Sequence, residues 1–196
     1  DEAGRRVEAL ILPQGVDTRH GEALVKLQPS LAAAIIESFD VVNDPLAPFM
    51  ECAGSLADRL LHNTSVEAAI RELALDNDAL ATALAARNAA DVAKLVALQK
   101  AGGGWGWCFS DDSDPWISAQ SILVLTRAQE LGYDVSSVAL NNGADYLGRQ
   151  LQDVDQLGDA GEANRQAFFL YVLSEAGEGI AADVDELMSE HRALLD

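Results

Sequence analysis

From Leu31 onward the apolar residues recur at helical spacing, and no stretch sustains the period-two alternation of a strand. Ser30 can cap a helix over Leu31–Val41, which Asn43, Asp44 and Pro45 end. A second apolar helix starts near Cys52 and carries Leu56, Leu60 and Leu61 to about His62. Asn63-Thr64-Ser65 then reads as the cap of another, running to about Leu75. Asp76-Asn77-Asp78 is the next break, followed by an alanine-rich helix to about Gln99. Asp114 is placed as a cap with Pro115 in the first helical position, predicting a helix over Pro115–Leu131 that stops at Gly132. A further helix is expected over Ala163–Ala176, before Gly177.

The first thirty residues differ. Val7–Leu12 is a short apolar run ended by Pro13-Gln14-Gly15, and Gly21–Gln28 alternates loosely, so both read as strands, antiparallel to one another. Two strands alone are marginal. Residues 1–29 are therefore expected to belong to a neighbouring β-domain, and residues 30–196 to form the helical domain with no strand in it.

The helices are of two kinds. Pro115–Leu131 and Ala163–Ala176 are apolar around most of their circumference, the second through Phe168, Phe169, Leu170, Tyr171, Val172 and Leu173. The helices after them carry a single stripe each: Leu140, Ala144, Leu147 and Leu151 in one, and Ile180, Val184, Leu187, Met188, His191 and Leu194 in the other. An all-apolar helix must be covered on several sides and an amphipathic one on one side only. Their alternation predicts two concentric layers. LVALQKAG at Leu95–Gly102 is echoed by LGRQLQD at Leu147–Asp153, a weak repeat of about 50 residues.

Composition changes the picture little: 196 residues, 49% hydrophobic with 6% aromatic, suit one domain of packed helices. A net charge of −19 argues against nucleic acid or an anionic membrane surface as partner. The longest apolar runs are too short to span a bilayer and no signal-peptide pattern opens the chain, which begins at Asp1 and reads as a processed chain or an excised piece. Two cysteines are too few for a zinc site, and His20, His62 and His191 are scattered, so neither metal nor cofactor is expected.

The stretch Pro48–Leu61, PFMECAGSLADRLL, carries the candidate chemistry. A cysteine at a helix start can have its thiolate stabilised, although a free cysteine is more often a small buried hydrophobe. The stretch resembles the thioester segment of the α2-macroglobulin and complement family, above all its bacterial members. There a proline-aromatic turn leads into Cys-x-Glu-Gln, then a small residue, an arginine and a leucine pair. Cys52, Ala57, Arg59, Leu60 and Leu61 follow that pattern. Gly54 stands at the glutamate position and Ser55 at the glutamine position. Serine has no carboxamide to supply the acyl carbon, so the resemblance implies a thioester site without its thioester. GEALVKLQPSLAAAI resembles the family's crossing from a β-domain into the helical domain, and SDPWISAQSILVLTRAQELGY continues the likeness. Gln99 with the Gly102–Trp105 run also resembles the Gln–Gly–Trp loops of terpene cyclases, whose α/α toroid the thioester domains share.

The resemblance implies an all-α fold, an α/α toroid (terpenoid cyclase-like) or an incomplete part of one, after two short strands. An incomplete ring would leave an apolar edge that favours dimerisation or domain contacts. It further implies a non-enzymatic domain of an extracellular or periplasmic protein that traps proteases, here sterically and not covalently. The rival reading is a non-inhibitory scaffold that docks other cell-envelope proteins. The family's catalytic histidine is expected near Gly158–Arg165, a segment that holds none. No thioester is expected to form, so methylamine should add nothing.

Two other clusters compete. Asp111, Asp112 and Asp114, with Asp159 and Glu162, do not follow calcium-loop spacing and read as solvated turns. Trp105, Trp107, Phe109 and Trp116 could bind a sugar or a partner, or could pin the glycine loop onto the helices beneath. Cys52 and Cys108 could be bridged if their loops share a rim. Otherwise Cys108 is a packing residue and Cys52 a free relic.

Overall fold

In the computed structural model, residues 51–74, 77–108 and 112–195 are described, and among them every regular element is helical. The expected strands before Pro29 and the expected helix over Leu31–Val41 lie outside these residues. The helices are α1 (Ala53–Glu72), α2 (Asp78–Ala97), α3 (Pro115–Glu130), α4 (Ser137–Gly148), α5 (Ala160–Glu175) and α6 (Ala181–His191), with 3-10 turns at Val154–Gln156 and Arg192–Leu194.

Their starts are chemically marked. Asn77 caps α2 by accepting from the Leu80 N–H, Asp114 caps α3 by accepting from Ile117, and Ser136 caps α4 by accepting from Ala139. At α5, Asp159 accepts from the Glu162 N–H while Glu162 accepts from the Gly158 N–H, a reciprocal box one residue wider than usual. Gly132 and Gly177 end α3 and α5 with φ of +94° and +90°. Each places the following N–H on the carbonyl five residues back, Tyr133 to Ala128 and Glu178 to Leu173.

One expected boundary is absent. Asn63-Thr64-Ser65 does not start a new helix, because α1 runs unbroken for 20 residues through it. The Thr64 and Ser65 hydroxyls donate back to the Leu60 and Leu61 carbonyls, each at 2.7 Å, and Asn63 is fully buried. The two hydroxyls are satisfied inside the helix and call for no cap.

Helices α1, α3 and α5 form an inner row, in which α3 touches both neighbours, and α2, α4 and α6 each pack behind the helix that precedes them. The alternation of all-apolar and striped helices thus corresponds to two layers. In α3, Ile117, Ala119, Ile122, Val124 and Leu125 are buried, whereas in α6 only Leu187 is. One core cluster joins Leu56 and Leu60 of α1, Leu95 of α2, Ile122 and Leu125 of α3, Leu147 of α4 and Phe169 of α5. Among the described residues, no helix is long and apolar enough to cross a membrane.

Candidate functional site

Cys52 occupies the position just before α1, with an extended backbone, and only 7% of it is exposed. Its sulfur is bonded to that of Cys108 at 2.14 Å, with Cα atoms 4.5 Å apart and the two residues 56 positions apart in sequence. Of the two alternatives open in the sequence, the bridge is the one realised. Cys52 is neither a free thiolate nor a partnerless relic.

Cys108 is brought there by the glycine-tryptophan loop after α2. Gly103 has φ +95°, and its Cα lies so close to the Asn142 carbonyl that a Cβ would sit 2.3 Å from the oxygen. Only glycine fits. The Gln99 amide donates to the Gly103 and Ala139 carbonyls, each at 2.8 Å, tying the loop to α4. Trp105 is fully buried, with its indole N–H donating to the Leu95 carbonyl at 2.7 Å and its backbone N–H to Ser118 Oγ at 2.8 Å. Gly143 leaves the space its ring fills. The loop is therefore anchored before it reaches Cys108.

The four aromatics do not form one platform. Trp105 is core. Trp107 is 56% exposed and lies over Gly54, while Trp116 is 44% exposed and leans on Phe168, ring centroids 4.7 Å apart. Phe109 and Asp111 lie outside the described residues. Gly54 is buried between Trp107 and Ile117, and Ser55 beside it is half-buried. A Cβ at position 54 would sit 3.4 Å from both the Trp107 ring and the Ile117 side chain. Asp159 and Glu162 are engaged at the start of α5, and among the described residues no group of three His, Cys, Asp or Glu side chains is arranged to hold a metal.

Between α1 and α2 lies an ion pair that the pattern reading passed over. Arg59 donates through Nε and Nη2 to the two oxygens of Asp91, each at 2.7 Å, and the Asp91 side chain is fully buried. The bond to Asp91 raises the Arg59 pKa, so the guanidinium stays charged. The signal was present: Asp91 is an acid on the buried face of α2, in register with Leu84, Asn88 and Leu95. Two turns further on, Glu67 accepts from Tyr133 Oη at 2.5 Å and from Asn88 Nδ2 at 2.9 Å, and pairs with Arg71. Burial, then the bond to Glu67, pushes the Tyr133 hydroxyl up to about 12. These two networks lock α1 to α2 and to the α3–α4 turn.

No profile of a known protein family matches the chain. Over 63 residues, 32% of its length, it is 36% identical to alpha-2-macroglobulin of Escherichia coli strain K12, of which it spans 4%. In fold it is similar to the native conformation of the E. coli protein, with TM-score 0.62 at 24% identity, covering 84% of this chain and 10% of that one. The same score is reached with a crystal structure of that protein running from domain MG7 to the C-terminus, of which it covers 26%. Salmonella alpha-2-macroglobulin reacted with methylamine gives 0.61 at 22% identity, covering 84% of this chain and 11% of that one. One stretch of the chain is thus similar in sequence, and most of its length similar in fold, to a small part of the bacterial alpha-2-macroglobulins.

Proposed function

We propose that this domain serves a protease-trapping, endopeptidase-inhibiting protein that encloses its target sterically, without an enzymatic or covalent step. The observation that carries this reading is the Cys52–Cys108 bond. An internal thioester needs a free cysteine sulfur and a neighbouring glutamine. Here the sulfur is bonded to another sulfur and the glutamine position holds Ser55. The disulfide takes the place of the thioester as the link that holds the start of α1. A stable structural disulfide also fits an extracellular or periplasmic setting.

The test uses the protein that carries this domain, incubated with a panel of endopeptidases. A trapped protease should keep its activity on a small peptide substrate, lose it on a large protein substrate, and come away intact in denaturant. Equal activity on both substrates would remove the trapping role. A protease adduct that survives denaturant would remove the non-covalent one.

A further inference from the structure

We propose that a cavity at the start of α3 binds a sugar ring of a neutral glycan. The cavity, about 320 Å³, lies between the start of α3, the segment leaving α4, and α5. That volume is at the lower end of small-molecule sites and suits one or two sugar units. Its aromatic wall is Trp116, propped from behind by Phe168, with Phe169 beneath. The rest of the lining comes from Gln150, the exposed Gln152 and Arg165, Asp114 and Pro115. Among the described residues, the Gln150, Gln152 and Arg165 side chains are committed to no other partner, and Asp114 uses only Oδ1 to cap α3.

The backbone beneath one polar lining residue is also held in place. Gln166, buried on α5, accepts from the Gln152 N–H at 3.1 Å and donates to the Gln152 carbonyl at 2.8 Å. Both backbone groups of Gln152 are thereby fixed while its side chain remains at the cavity wall, which lowers the ordering cost of binding. An exposed indole beside amide and guanidinium groups is the chemistry that recognises a pyranose: the C–H face stacks on the ring, and the hydroxyls exchange hydrogen bonds with the planar groups. A polyanion is disfavoured by the net charge of −19. The site is independent of any trapping role.

The test is a titration with glucose, galactose, maltose, N-acetylglucosamine and its β1,4-linked disaccharide, followed by tryptophan emission and saturation-transfer NMR. At least one sugar should bind in the millimolar range. Its affinity should fall about tenfold or more in Trp116→Ala and in Gln152→Ala, as for loss of a central contact, and stay unchanged in Trp107→Ala. The Gln152→Ala variant keeps the backbone bonds to Gln166 and therefore the fold. Failure of all five sugars to bind, binding indifferent to Trp116→Ala and Gln152→Ala, or preferential binding of an acidic tripeptide would each overturn the proposal.

Discussion

Cys52 and Cys108 show how a single side chain can close one chemistry and open another. Their bond ties the start of α1 to a loop 56 residues away, and a closure of that length restricts the unfolded chain strongly. Replacing both with serine should lower unfolding stability by about 2–4 kcal/mol in urea titrations under oxidising conditions. Under reducing conditions the gap between the two proteins should close. The Arg59–Asp91 pair behaves differently, since its value lies in mutual satisfaction. Asp91→Ala would leave a mostly buried guanidinium unpaired and should cost about 3–5 kcal/mol. A double replacement with apolar residues of similar volume should recover most of that loss, because no charge is left stranded. If single and double variants unfold at the same denaturant concentration, the pair is not what holds α1 to α2.

At the scale of the elements, the helix starts and stops were legible wherever a residue has one dominant use. Asp114-Pro115 and Asn77 begin helices, and Gly132 and Gly177 end them. The reading failed at Asn63-Thr64-Ser65 because cap-forming residues can equally return their hydrogen bonds to the turn behind them. Of the two uses open to the tryptophans, Trp105 takes the loop-pinning one, turned inward, while Trp107 in the same loop turns outward, because neighbours in a glycine loop need not face the same way. The cysteine bridge could be named as a possibility, but only the folded path of the loop decides it. The network joining α1, α2 and the α3–α4 turn carries a pH signature. The Tyr133 hydroxyl has its pKa raised from 10.0 to about 12, so the fold favours the neutral phenol. Its contribution is complete below pH 10 and is lost as pH rises towards 12. Burial also raises Tyr146. The alkaline loss of stability in the parent chain should therefore be reduced, not abolished, in Tyr133→Phe. Identical urea midpoints in the two proteins across this range, after subtracting their neutral-pH difference, would exclude the Tyr133 contribution.

For the whole molecule, the two-layer arrangement buries an apolar core while the surface carries a net charge of −19. Self-repulsion of that size opposes the compact state and is screened by salt. Thermal unfolding at neutral pH should accordingly shift upward as sodium chloride is raised from low concentration to about 0.15 M, where the Debye length is roughly 8 Å. A midpoint that falls over this range would mean that favourable ion pairs outweigh the repulsion.

The central claim is that the Cys52 sulfur is held by Cys108 and not by an acyl group. Intact mass under non-reducing conditions, before and after methylamine, tests it most directly. The predicted mass lies two hydrogens below that of the reduced sequence, returns to the sequence value on reduction, and is unchanged by methylamine. A mass lower by one ammonia, with one methylamine added on treatment, would contradict it.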